Sequence, residues 1–472
     1  MKRAVFLTAA LAFAVYLLTV APDVTWAHEG SDAGDLITAA VTLGVPHPPG
    51  YPTYTLLGKL FSLLPVATVA FRFNLFSAIS AALAAGVAAA ATGHWLREST
   101  ATQNAATVLI PIAAGLTLAF MPLTWSQALI AEVYALNLLF VALVVWSLLS
   151  SRPPWLTGLL FGLSITTHLT SLLLAPLVLA WTPPRRWSQI SVGFLAGLLP
   201  FLVLPLLALG ESPVVWGRPE TLGGWWWLVT GQLYGGNVLA LPRAEWGQRL
   251  LLWSRELFAQ FAWIGLPLVA VAISETWPER QRRLAPLLLS AGLYLVYAFG
   301  YRNDDAFVYL LPALLLLVLP LANIMLRSSW LAFLLPMLLL MLNFQRVGHR
   351  DDFVAGRFEA RAAAEAVLAE APPDALLLTD GDRTTFTLWY MHFVEAQRPD
   401  LIVADVNLFA FDWYRTRLSR HYHEPDLRAA TAYERLAAGE WPDRTVCRTV
   451  LAPEPEQTFL LTCASNTPSA EG

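Results

Sequence analysis

Three acids, Glu29, Asp32 and Asp35, fall within seven positions of a segment that runs from Asp23 to Asp35. Asp32 and Asp35 are three apart, so a helix starting near Asp32 puts both on one face. Carboxylates held that close raise one another's pKa, and either supply a general base or bind a cation. The same two residues also suit a helix over Leu36–Leu43 for its own sake, Asp32 as N-cap and Asp35 in the first turn. Next comes His47-Pro-Pro-Gly-Tyr-Pro52, whose prolines, with Pro46, forbid helix and impose an extended turn. In Thr53–Leu64, Leu56, Leu57, Leu60, Phe61 and Leu64 take one side and Lys59 another, the pattern of an interfacial helix. A lysine at that level either meets a lipid phosphate or snorkels to the headgroups. Glu132, His168, Arg302 and Asp305 are polar residues at the ends of apolar runs. Groups at that depth either line a functional cavity or are buried with a partner.

The elements that must carry these residues are membrane helices. Of 472 residues, 56% are hydrophobic and 14% charged, against about 25% charged in a soluble domain. More than half of the charged residues lie beyond position 344. Runs long enough to cross a bilayer are Ala4–Val20, Phe71–Ala91, Ala105–Met121, Val133–Ser150, Ser188–Leu209, Leu250–Ile273, Leu284–Gly300, Phe307–Leu326 and Ser328–Asn343. Trp155–Trp181 is long and interrupted by Thr166, Thr167, His168 and Thr170, and reads as a helical hairpin that keeps Arg152 and Arg185–Arg186 on one side. The total is about eleven crossings. Lys2 and Arg3, Arg97, Arg152, Arg185–Arg186, Arg280–Arg283 and Arg327 then all fall inside, which places the N-terminus in the cytoplasm and the C-terminus outside. The first apolar run reads as a retained helix rather than a cleaved signal, since no small-x-small site ends it before Asp23. Residues 1–344 therefore form the membrane part, with a first outer loop at 21–70 and a large outer loop at 210–249. Residues 345–472 form an extracytoplasmic domain. A net charge of −4 gives no footprint for nucleic acid.

That last domain alternates helix and strand signals. Phe358–Glu370 is an amphipathic helix stopped by Pro372–Pro373, and Ala375–Thr379 is a buried strand. A turn follows at Asp380–Asp382, then a helix over Thr384–Ala396 and a strand over Asp400–Asp405. This is a parallel α/β unit. Cys447 and Cys463, the only cysteines, either pair in an oxidising compartment or stand as free thiols in adjacent strands. The chain carries no P-loop, G-x-G-x-x-G, H-E-x-x-H or paired C-x-x-C motif.

The run Asp32-Ala-Gly-Asp35-Leu-Ile-Thr-Ala-Ala, followed by Gly44-Val-Pro-His47-Pro-Pro-Gly-Tyr-Pro-Thr-Tyr-Thr-Leu-Leu-Gly-Lys59, resembles a family of membrane glycosyltransferases. That family includes a eukaryotic endoplasmic-reticulum protein O-mannosyltransferase. Ala131-Glu-Val-Tyr-Ala-Leu-Asn137, Trp216-Gly-Arg-Pro-Glu-Thr-Leu222, Thr379-Asp-Gly-Asp382, Leu388-Trp-Tyr390, Arg398-Pro-Asp400 and Asp412-Trp-Tyr414 extend the likeness across most of the chain. The resemblance implies a GT-C type fold, here an all-α polytopic bundle with a small C-terminal α/β domain in a plasma or inner membrane. It also implies an acidic residue in the first outer loop and a polyprenyl-phosphate-linked sugar donor. Relatives commonly have Glu where this chain has Asp35, which makes Asp32 the stronger candidate for catalytic base and leaves Asp35 as base, ligand or helix cap.

On this reading Asp32 takes the proton of an acceptor hydroxyl as that oxygen attacks the anomeric carbon, with inversion. The acceptor is a protein Ser or Thr or a glycan, and the sugar is mannose by analogy with the characterised member. Lys59, Arg218 and Arg302 are candidate cations for the leaving phosphate; His47, Glu132, His168 and Asp305 complete the substrate-binding set. No cofactor or metal is required, although neighbouring acids are compatible with a divalent cation. The alternative is a flippase or transporter of a lipid-linked sugar, for which acidic residues and broken helices look much the same. The absence of an internal repeat, and an acidic cluster in a loop rather than mid-span, favour the enzyme.

Overall fold

The computed structural model describes residues 2–97, 106–347 and 359–464, apart from 430, 439, 440, 442, 443 and 453–457. The chain forms two compact units, each assembled from separate stretches. One comprises Met1–Val20, Asn74–Leu202 and Gln232–Arg350; the other Ala21–Phe73, Val203–Gly231 and Asp351–Gly472.

The first unit is helical throughout its described residues. Among them, four helices are long and apolar enough to cross a membrane: Val69–Arg97, Pro184–Ala208, Gly265–Gly300 and Asp305–Arg327. A fifth is counted if Val108–Phe120 and Pro122–Ala128, bent by 70° at Met121, make one broken span. Pro122 causes the bend, because it sits at the first position of the second piece and cannot donate to the preceding turn. Tyr134–Leu149, Leu169–Ala180 and Leu331–Phe344 are apolar but shorter. Eleven full-length crossings are therefore not found. The expected spans Leu250–Ile273 and Leu284–Gly300 are also redrawn. One helix, Trp246–Gln260, ends before Ala262 and Trp263, both at positive φ. The next, Gly265–Gly300, continues through the charged stretch Glu275–Arg283 with a kink at Arg280. Charge had suggested a loop there, but Glu275 pairs with Arg327 at 2.5 Å and Arg280 lies over the Trp95 ring, so the helix keeps its charges solvated or partnered.

Trp155–Trp181 does double back. Gly193 lies against the Trp155 carbonyl and Gly197 against that of Leu159, while Gly158 and Gly162 meet Ile190 and Phe194. Contacts that advance together along both chains make Pro154–Thr167 and Trp187–Gly197 a parallel pair, so the chain between them must return. Glycines four apart on each helix allow this approach; a Cβ on Gly193 would stand 1.9 Å from a carbonyl oxygen. Arg152 and Arg185–Arg186 thus precede helices that start at the same end. The return leg begins after that first helix ends at Thr167, with His168 extended and a 3-10 turn over Leu169–Leu174 leading into helix Ala175–Ala180.

The second unit is α/β. Its sheet has the order β2-β1-β3-β4, with β1 (Leu376–Thr379) parallel to β2 (Ile402–Asp405) and β3 (Val446–Leu451), and β3 antiparallel to β4 (Phe459–Cys463). Central β1 and edge strand β2 are both buried along their length, as a continuous apolar run requires. Cys447 and Cys463 are register partners and form a disulfide. Helices Glu359–Glu370, Asp382–Trp389 and Asp412–Tyr422 flank the sheet strands in sequence. The expected helix over Thr384–Ala396 begins two residues earlier and closes in a π-turn at Tyr390–Val394.

Residues 21–73 belong to this unit as fully as the sheet does. Trp26 donates its indole N–H to Thr387 Oγ1 at 2.9 Å. Arg361 donates to Asp23 at 2.7 Å and forks onto both oxygens of Glu395. Gly34 is pressed on the backbone of Phe386, so closely that a Cβ would sit 1.8 Å from its carbonyl oxygen. Helix Ala33–Thr42 is thereby laid directly on helix Asp382–Trp389.

Candidate active site

The helix Ala33–Thr42 starts with Asp32 in the N-cap position, yet the Asp32 side chain makes no capping bond. Its carboxylate turns instead toward His47, with Oδ2 at 3.6 Å from Nε2. Asp35, in the first turn and on the same face, is fully buried and meets the other side of the ring. Its Oδ2 accepts the His47 Nδ1–H at 2.7 Å and the His47 backbone N–H at 3.0 Å. Its Oδ1 accepts the Trp216 indole N–H at 2.9 Å. The imidazole is therefore clamped between two carboxylates, one closed off and one reachable.

The segment around His47 shows how the chain achieves this. The helix stops at Leu43 in the left-handed region, whose N–H turns back to the helix carbonyls. Gly44 then passes so near Val214 that a Cβ would lie 2.1 Å from its carbonyl oxygen. Val45 pairs in parallel with Val215, through Val45 N–H to Val214 O and Trp216 N–H to Val45 O. This short ladder brings Trp216 to Asp35. Beyond it the proline-rich turn returns at Gly50, at φ 85°, packed on Leu204 and Leu228. Tyr51, whose ring lies 5.0 Å from that of His47, then opens the helix Pro52–Ser62.

Electrostatics follow from this packing. Burial alone would lower the His47 pKa, but the facing Asp32 carboxylate, the Asp35 hydrogen bond and the Asp35 charge outweigh it and hold the imidazolium to about 9. Desolvation raises the Asp32 carboxyl above its usual range; the His47 charge opposes the rise and Asp35 adds to it. A third acid, Asp382, belongs to the same field. It opens the helix that Gly34 contacts, and although its side chain reaches solvent, desolvation by the surrounding protein and then the Asp32 charge push it to about 6. A reachable carboxylate of raised basicity, fixed beside a locked imidazolium, is equipped to take a proton from a hydroxyl.

The other residues singled out in the sequence are placed as follows. Lys59 donates its ammonium to the Val41 carbonyl near the end of helix Ala33–Thr42. Arg218 is exposed and stands 3.8 Å from Glu220 and 3.9 Å from Asp412. Glu132, His168, Arg302 and Asp305 belong to the first unit. There Glu132 is buried, and His168 caps the 3-10 turn by accepting the Thr170 N–H, with the rings of Tyr134 and Tyr309 each 5.4 Å away. Arg302 is exposed and tied through its backbone N–H to Asn237, and Asp305 opens the turn Asp305–Leu310. Among the described residues, no three His, Cys, Asp or Glu side chains are grouped to hold a metal. Sequence reasoning put Trp216 and Asp382 within recognisable motifs but gave neither a role. An indole donor has no diagnostic spacing, and Asp380-Gly-Asp382 reads first as a turn.

Comparison with known proteins bears on the same segments. The family described as the N-terminal domain of protein O-mannosyl-transferase TMEM260 matches residues 32–191, and TMEM260-associated domain 2 matches residues 360–436. The first match begins at Asp32. Protein O-mannosyl-transferase TMEM260 of Mus musculus is 28% identical over 464 residues, covering 83% of this chain and 61% of its own. The Dictyostelium discoideum protein of the same description is 23% identical over 484 residues, covering 85% and 57%. The chain thus spans about three-fifths of the length of these relatives. Among solved structures, ArnT from Cupriavidus metallidurans bound to undecaprenyl phosphate superposes with a TM-score of 0.55, covering 94% of this chain and 92% of that one. At 12% identity this likeness is one of fold.

Proposed function

From the premise that this chain is a GT-C-type relative of the protein O-mannosyl-transferases, we propose that it transfers a sugar, mannose by kinship, from a polyprenyl-phosphate donor to a protein Ser or Thr hydroxyl. The observation that carries the reading is the ordered chain Trp216–Asp35–His47–Asp32. Asp35 has both oxygens engaged and no solvent access, so it is the positioning residue; Asp32 is the base. His47, held as a cation, keeps the Asp32 carboxylate in place and ionised between turnovers. As the acceptor oxygen forms its bond to the anomeric carbon, Asp32 accepts the hydroxyl proton, the carbon–phosphate-oxygen bond breaks and the polyprenyl phosphate leaves, inverting the centre. The departing phosphate needs a cation. Within the unit that holds Asp32, Lys59 donates to a helix end and Arg218, which stands beside Glu220 and Asp412, is the proposed one.

The reaction is assigned to the outer face of a membrane crossed about eleven times, with the N-terminus inside. The broken and shorter apolar helices make up the crossings beyond the long ones, and a disulfide in the C-terminal sheet suits an oxidising compartment. The decisive experiment is transfer of mannose from a synthetic polyprenyl-phosphate donor by purified, detergent-solubilised protein. Asp32→Asn is expected to lower the rate by roughly 10²–10⁴ with unchanged thermal unfolding. Transfer surviving that change removes Asp32 from the chemistry, and movement of the donor across liposomes without transfer would establish the transport alternative.

A further inference from the structure

The unit that holds the acidic pair also contains a cavity of about 260 Å³ ringed by arginines. Arg218 lines one wall, beside Glu220; Arg417, Arg420 and Arg428 line another, beside Trp413. Arg417 is buried and donates to the carbonyls of Gly210 at 2.8 Å and Ala208 at 2.6 Å, so it braces the two walls together. Arg420 and Arg428 are exposed and have no acidic partner among the described residues. Trp216 separates this cavity from the carboxylates. Its neighbours Val215 and Gly217 face the cavity, its indole N–H points to Asp35, and Trp413 packs on its ring at 5.7 Å.

We propose that this cavity receives an acidic stretch of the polypeptide acceptor, next to the hydroxyl that is glycosylated. This rests on the reading of Asp32 as the base that meets that hydroxyl. Two features select a peptide over the donor's phosphate. The arginines come from three different segments, and Arg417 and Arg218 are already engaged by backbone carbonyls and by Glu220 and Asp412, whereas a single phosphate is held by several free donors that converge on it. A donor phosphate is also bonded to the carbon under attack, so it stays beside the sugar. An acceptor chain runs on past its hydroxyl, far enough to turn the Trp216 corner. Carboxylates on an extended segment match Arg420 and Arg428, the two cavity arginines with no acidic partner among the described residues, and such charges set partner choice more than raw affinity.

The test uses the full-length protein in detergent with two fluorescent Ser-containing peptides, one flanked by Glu and the other by Gln. Fluorescence anisotropy at low salt is expected to show the Glu peptide bound about tenfold more tightly, an advantage that shrinks with ionic strength. The double change Arg420→Gln/Arg428→Gln should erase that advantage and leave thermal unfolding, the Gln peptide and polyprenyl phosphate binding unaltered. Equal affinity for the two peptides overturns the proposal, as does a double variant that loses polyprenyl phosphate instead. Asp32→Asn separates the two readings, since it should stop transfer while the Glu preference persists. A wild type that prefers the Glu peptide but moves no sugar would defeat the enzymatic reading alone.

Discussion

At the scale of residues, the site is governed by one imidazole and its neighbours. A histidine raised from 6.5 to about 9 stabilises the fold fully below pH 6.5 and loses that contribution as pH rises through 9. Its full extent is on the order of 3 kcal/mol. Thermal unfolding of the detergent-solubilised protein should therefore become easier between pH 7 and 10, and His47→Gln should flatten that dependence. Asp382 has the opposite sign. An acid raised to about 6 costs stability once pH exceeds the unfolded value near 4, so Asp382→Asn should raise the melting temperature at pH 7 and leave it unchanged near pH 4. Much of this was legible in the sequence. Asp32 and Asp35 share a face because they lie three positions apart, and the prolines around His47 demanded a fixed turn. What spacing does not contain is the partner across the chain: Trp216 is 181 positions from Asp35, and only the Val45–Val215 ladder brings it there.

At the scale of elements, glycine decides where helices touch. Gly34→Ala would drive a methyl into the Phe386 carbonyl and part helix Ala33–Thr42 from helix Asp382–Trp389. Overpacking of this kind costs about 1–3 kcal/mol or more. The change should lower both the melting temperature and transfer, since it moves Asp32 and Asp35 with the helix. Gly193→Leu should separate the parallel pair Pro154–Thr167 and Trp187–Gly197, which protease sensitivity of the intervening segment would report. The strands β1 and β2 were legible as apolar runs between turn residues. The helix Gly265–Gly300 was not, because a cluster of charges resembles a loop wherever local partners such as Trp95 and Arg327 are invisible.

At the scale of the whole molecule, topology is the expectation most open to measurement. With Cys447 and Cys463 both changed to Ser, a single cysteine at Ser31 should react with a membrane-impermeant maleimide added from outside. One at Arg186 should react only after permeabilisation. The disulfide closes a separation of 16 residues, and a loop of that size contributes about 3 kcal/mol. Reduction should therefore lower the unfolding temperature of the C-terminal sheet. Hydropathy recovered the longest helices but drew the others as unbroken spans, because it sees apolar length and not the breaks at Pro122, His168 and Ala262.

The unit bearing Asp32 is stitched from three stretches that lie far apart along the chain, the last of them beginning at Asp351. A nascent protein emerging from the ribosome thus carries its acids early and their supporting sheet late. The unit that holds the acids closes only once its third stretch has been made.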